Sequence, residues 1–173
     1  AKRRKQIFVA TSSVGPGSTN LVTAAAVAMS NRIPILFLPG DTYANRMPDP
    51  VLQQVEHFNN PGITANDAFK PVTRYFDRIT RPEQILQSLP QAIQVMIDPG
   101  DSGPACLSLC QDIQGETFDY PEDFFKEKIH TIRRPKPDDF EIKNAAEKIK
   151  NSKNPIIISG GGVFYSDAME ELG

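Results

Sequence analysis

Apolar residues fall in short blocks along this chain, and the blocks alternate between two spacings. Ile7-Phe8-Val9-Ala10 is a brief β-favouring run, and Ile33 to Leu38 is a second, longer one. Between them lie Gly15-Pro16-Gly17, a turn, and then a stretch of small residues with Ala24, Ala25, Ala26 and Ala28. That stretch predicts a helix able to approach a sheet closely, with Ser18 or Thr19 capping its start. Val72 to Ile79 and Ala105 to Cys110 read as two further strands. A second helix is expected from Thr80, with Thr80 as cap, Pro82 in the first turn and Glu83 completing a capping box. Ile85, Leu86, Leu89, Ile93, Met96 and Ile97 recur at helical spacing and make its apolar face. Pro90 should kink that helix, and Asp98-Pro99-Gly100 should stop it. Strands alternating with helices argue an α/β fold, a parallel sheet with helices on both faces.

The pattern changes after Gly115. Residues 116–137 carry charge, aromatics and the prolines Pro121, Pro135 and Pro137, which reads as a linker. A new unit starts at 138. Asp138 caps a helix with Glu141 three residues on, and Ile142, Ala145, Ala146 and Ile149 form its face. Pro155-Ile156-Ile157-Ile158 reads as a buried strand, followed by the turn Ser159-Gly160-Gly161-Gly162. One helix and one strand cannot close a core, so residues 138–173 are expected to lean on other sequence. The chain also opens without Met on a basic tail and closes inside a helical pattern, as a piece of a longer protein would.

Composition narrows the function classes. The net charge is −2, and hydrophobic residues make up 39% of the chain. Neither suggests a nucleic-acid or membrane surface. No apolar run approaches the length of a membrane span, and no signal peptide precedes the first strand. The two cysteines, Cys106 and Cys110, lie on one predicted strand, where disulfide geometry is out of reach. They read as buried reduced thiols of a cytoplasmic protein. His57 and His130 lack metal-ligand spacing. Arg74, Arg78 and Arg81 read as structural ion-pair partners.

The Gly15-Pro16-Gly17 turn is the candidate site. Its glycines let another group approach, and the helix after it would point free N–H groups outward. It has neither the Lys of a P-loop nor a G-x-G-x-x-G register, so a plain strand-to-helix turn remains open beside a ligand-binding one.

A longer pattern weighs on that choice. A strand ending in Ser/Thr, then G-P-G-x-x-N, an Ala-rich helix and a strand closing on Pro39-Gly40-Asp41 resembles the pyrimidine-binding domain of thiamine-diphosphate enzymes related to acetolactate synthase. The order continues through Gln53-Gln54-Val55-Glu56, Lys70 to Arg74, Arg81-Pro82-Glu83 and Gly103-Pro104 to Gln111-Asp112. The runs Ala44 to Gln54 and Arg74 to Gln84 are similar to the branch of that family that opens cyclic 1,2-diketones in bacterial inositol breakdown. Residues 155–162 are similar to the start of the family's central domain.

The resemblance implies residues 1–115 as part of the pyrimidine-binding domain, 116–137 as linker and 138–173 as the start of a central α/β domain. It implies thiamine diphosphate and Mg²⁺ as cofactors, the latter held by sequence outside this chain. Pro16, Asn20, Gln53 and Gln54 match positions that approach the coenzyme, and Arg46 and Asp49 lie on a loop at the expected ligand edge. The activating Glu is expected upstream of Ala1, so no catalytic residue and no metal ligand is assigned here. The implied protein is a homo-oligomer, dimer or tetramer, that hydrolyses a C–C bond of a small cyclic diketone. An acetolactate-synthase-like carboligase and a non-catalytic α/β interaction module are the alternatives. On this reading the 173-residue chain alone should be inactive and bind thiamine diphosphate weakly or not at all. Titration calorimetry with coenzyme and Mg²⁺ checks this, and micromolar binding would contradict it.

Overall fold

Four parallel strands carry the fold: β1 (Phe8–Ser12), β2 (Ile35–Asp41), β3 (Tyr75–Ile79) and β4 (Ala105–Cys110). They pair in the order β1-β2-β4-β3, with Phe8 opposite Ile35, Leu36 opposite Ala105 and Tyr75 also opposite Ala105. The computed structural model describes residues 1–45 and 55–173. The chain divides into two units, Ala1–His130 and Thr131–Gly173.

In the first unit, helix α1 (Pro16–Ser30) links β1 to β2 and helix α2 (Ile85–Met96) links β3 to β4. A 3-10 segment, Ala65–Val72, precedes β3. Strand parity assigns their faces. Leu36, Ile79, Ala105 and Leu107 point to one side, where Ala92 and Met96 of α2 complete a buried cluster. Phe37 and Cys106 point to the other, against Ala25 of α1 and Phe69 of the 3-10 segment. Helices therefore cover both faces, as the alternation of blocks predicts. Helix α1 and the 3-10 segment before β3 lie on one face, and α2, which joins β3 to β4, lies on the other.

The small residues of α1 explain its seating. Ala25 and Ala28 are fully buried, so the helix lies close on the sheet. Its cap differs from expectation. Gly15, at φ 69°, is the N-cap, and no side chain caps the first turn. Ser18 is instead buried and bonded to Asn66, and the Thr19 hydroxyl donates to the Pro16 carbonyl at 3.0 Å. Helix α2 also starts otherwise than expected. A turn at Pro82–Gln84 precedes it, and the Gln84 Oε1, not Glu83, accepts the N–H groups of Thr80 (2.6 Å) and Arg81 (2.9 Å). The helix runs unbroken through Pro90.

In the second unit, helix α3 (Asp139–Lys150) is capped as predicted, with the Asp138 carboxylate accepting from the Phe140 N–H at 2.8 Å. Two short helices follow, α4 (Gly161–Tyr165) and α5 (Met169–Leu172). The buried strand expected at residues 155–158 is corrected: the segment pairs with no strand, and Ile156 and Ile158 are 90% and 92% exposed. A strand needs a ladder partner to hide its backbone, and no described strand in this unit offers one.

A polar network fastens the carboxyl ends of the central strands on the α1 face. Asp41, 1% exposed, receives Arg78 Nε at 2.7 Å, the Ser108 hydroxyl at 2.5 Å and the Thr42 N–H at 2.8 Å. Asn66 donates to the Gly40 carbonyl (2.9 Å) and to Ser108 Oγ (2.7 Å) and accepts from Ser18. Arg78 also reaches Thr64 Oγ1 at 2.9 Å and Asp67 at 3.0 Å. Removing one partner of such a pair strands the other charge in a dry site. Arg78→Ala should therefore destabilise the first unit by about 3 kcal/mol, read as a lowered urea midpoint. Ser108→Ala, which leaves the ion pair intact, should cost about 1 kcal/mol.

Candidate functional site

Because all four strands run parallel, their carboxyl ends meet at one edge, the place where open α/β sheets bind ligands. A cleft of about 400 Å³ lies there, against the ends of β1, β2 and β4. Thr11, Ser12, Ser13 and Val14 line one side, Leu38, Gly40 and Leu109 lie at the strand ends, and Tyr43, Gln111 and Gln114 complete it. The size is that of a small-molecule site.

The floor is made of backbone. A Cβ on Gly40 would meet the Val14 nitrogen at 3.2 Å and the Ser12 carbonyl oxygen at 3.5 Å. The turn after β1 thus sits directly on the end of β2, and a side chain at Gly40 would have to push that backbone back. The wall on the far side is pinned by Asp112, whose two carboxylate oxygens accept the N–H groups of Ala44 (2.9 Å) and Asn45 (2.8 Å). The Gln111 N–H donates to the Asp41 carbonyl at 3.2 Å. The residue after β4 and the loop after β2 are therefore held as one body.

The chemistry of the lining is uniform. Among the described residues it contains hydroxyls, carboxamides and apolar groups and no charge. Thr11 Oγ1 donates to the Leu38 carbonyl at 2.9 Å, and Gln114 Nε2 to the Leu109 carbonyl at 3.0 Å. The first turn of α1 next to the cleft holds no acidic residue and no side-chain cap. Such a place suits the neutral, hydrogen-bonding edge of a ring; a diphosphate would find no cation among the described lining residues.

Comparison with known proteins finds relatives of greater length. Over 169 residues the chain is 54% identical to the 3D-(3,5/4)-trihydroxycyclohexane-1,2-dione hydrolase of Shouchella clausii, a match covering 98% of this chain and 26% of that protein. The hydrolases of the same name from Listeria monocytogenes and Halalkalibacterium halodurans are 53% and 56% identical, over 99% and 98% of this chain and 27% and 26% of theirs. The chain is homologous to one segment of these hydrolases. It spans about a quarter of the length of these curated relatives. No family model matches it.

Among solved structures, the thiamine diphosphate-dependent 4-hydroxybenzoylformate decarboxylase of Rhodococcus jostii RHA1 superposes with a TM-score of 0.75 at 18% identity, over 97% of this chain and 30% of that one. Benzoylformate decarboxylase from Polynucleobacter necessarius gives 0.71 at 22%, over 98% and 30%. These likenesses show that the fold, a parallel sheet between helices, is the one found in a segment of those enzymes.

The positions matched by motif fall as follows. Pro16 opens α1 and Asn20 lies one turn on, both exposed and on the same side of the helix by their spacing. Neither lines the cleft; the turn connects them to it through Ser13 and Val14. Gln53, Gln54, Arg46 and Asp49 lie outside the described residues. The three arginines make the ion pairs expected of them: Arg74 with Asp101 at 2.9 Å, Arg78 with Asp41, and Arg81 with Glu83 at 2.9 Å. Sequence reasoning missed Thr11, Ser13, Tyr43 and Gln114 as lining residues. It also missed Asn66 as the joint between α1 and the strands. The one visible signal was Ser108, a polar residue inside the apolar run of β4.

Among the described residues, no group of three His, Cys, Asp or Glu is placed to hold a metal, and no helix is long and apolar enough to cross a membrane. Burial, then the neighbouring Asp41, pushes both thiols up, Cys110 to about 12 and Cys106 further. Both are free and buried. Thiolate is the reactive form, so neither cysteine should react with a disulfide reagent at pH 8 while the protein is folded. Both should react once urea unfolds it, and a rapid thiol count in the native state would contradict this placement.

Proposed function

We propose that this chain is a segment of a thiamine-diphosphate-dependent hydrolase that cleaves a C–C bond of trihydroxycyclohexane-1,2-dione in inositol catabolism. The observation that carries the reading is the 54% identity with hydrolases of that name over 98% of the chain. In this proposal residues 1–115 belong to the domain that holds the aminopyrimidine, 116–137 link, and 138–173 begin the central domain. The whole protein is a cytoplasmic homo-oligomer that uses Mg²⁺ to anchor the diphosphate.

The residues present suit the pyrimidine half of the coenzyme. The first turn of α1 is uncapped by any side chain, and the adjoining lining is polar and uncharged. Pro16 and Asn20, with Gln53 and Gln54, are the groups that would hold the ring. When bound, thiamine diphosphate supplies the nucleophilic carbon that adds to a ketone. This chain's own part is positional. Asn66 and Ser18 tie the start of α1 to Gly40 and Ser108, so the helix end that faces the coenzyme is fixed to the strand ends that face the substrate.

The test uses the full-length protein. It should open the trihydroxylated dione only when thiamine diphosphate and Mg²⁺ are supplied. Asn20→Ala should raise the coenzyme concentration for half-activation about tenfold, with a smaller effect on the urea midpoint. Coenzyme-independent turnover would overturn the reading, and an unmoved half-activation would remove Asn20 from the site.

A further inference from the structure

We propose that Gln111, assisted by Ser13 across the cleft, recognises the ring hydroxyls of the substrate. It thereby sets a preference for a polyhydroxylated cyclic dione over an unsubstituted one. The inference rests on the function proposed above and assigns the part of the site that reads the substrate.

Several observations converge on these two side chains. Among the described residues the cleft wall is neutral, so beside the coenzyme ring it suits a neutral hydroxylated substrate. Two of its polar side chains are already engaged within the protein: Thr11 bonds to Leu38 and Gln114 to Leu109. Gln111 differs. Its main-chain N–H is engaged with the Asp41 carbonyl, but its carboxamide makes no hydrogen bond among the described residues. The Ser13 hydroxyl likewise makes none among the described residues, and the Ser12 hydroxyl beside it is buried without a partner there. A carboxamide presents an acceptor and two donors in one plane. That set matches two neighbouring hydroxyls of a ring, one donating and one accepting.

Position adds to this. Gln111 is the first residue after β4, and its backbone is anchored to β2. Asp112 beside it is locked to the Ala44 and Asn45 N–H groups. The carboxamide therefore projects from a fixed point and spends little ordering entropy on its ligand. A site built to hydrogen-bond a hydroxyl rejects the analogue that lacks it, because its own polar group is then left unpaired.

The experiment compares two substrates in the full-length enzyme, trihydroxycyclohexane-1,2-dione and cyclohexane-1,2-dione. Gln111→Ala should lower the ratio of kcat/KM for the first over the second about tenfold. The loss should appear in KM for the hydroxylated dione, with no shift in half-saturation by thiamine diphosphate. Equal losses on both diones, or a shifted coenzyme half-saturation, would overturn the assignment. A second measurement covers a variant that folds poorly or a protein that does not open the ring. In the wild-type protein, the Gln111 side-chain amide NMR signal should move on titration with myo-inositol and not with thiamine. Movement with thiamine only, or with neither, would overturn the assignment as well. If the amide responds to the polyol while no ring opening occurs, the proposed reaction falls and the polyol subsite stands.

Discussion

One buried carboxylate holds the carboxyl edge of the sheet together. Asp41 ends the central strand β2 and is almost fully out of water. Such a charge survives only if its partners converge on it, and they do so from three directions: Arg78 from β3, Ser108 from β4 and its own following N–H. Arg78 carries the arrangement outward to Thr64 and Asp67. Burial works against the charge of Asp67, yet Lys70, the Thr64 N–H and Arg78 outweigh it and hold that carboxyl below its usual range. Arg78 is held protonated in the same way, with Asp41 and Asp67 overcoming the cost of burial. Hydrophobic contacts build the sheet and its two layers, but this network sets where the strands stop.

The consequence for the site is mechanical. Asn66 bonds at once to the strand end at Gly40, to Ser108 and to Ser18 in the first turn of α1. The helix start beside the proposed coenzyme position and the strand ends that floor the cleft therefore move as one body. On the other side Asp112 ties the loop after β2 to the turn after β4. The cleft is framed by two polar clasps, both of which use side chains to hold backbone, the less costly way to fix a loop without a hydrophobic plug.

The sheet was legible in the sequence because its signals are local. β4 is read from Ala105 to Cys110 without error, and the small residues of α1 foretell its close seating. The caps were misread because Ser18 and Glu83 sit at plausible positions. Ser18 is drawn off by Asn66, and Gln84 supplies the acceptor that Glu83 was expected to give. The network itself could not be read: Asp41 and Ser108 are 67 residues apart, and Asn66 and Ser108 are 42 apart. No spacing rule spans such distances. Ile156 to Ile158 show the opposite failure. Their local pattern is that of a strand, but a strand is a relation between two segments, and the second is not among the described residues.

The contact between Gly40 and the Val14 nitrogen sets a rule for how this cleft could change its ligand. Main chain lies against main chain there, so a side chain added at Gly40 would press on the turn after β1. Variation is confined to the rim, where side chains such as Ser13 and Gln111 line the cleft. The site is a fixed plate with exchangeable edges. Rim side chains can be exchanged one at a time, and the sheet beneath would not register the change.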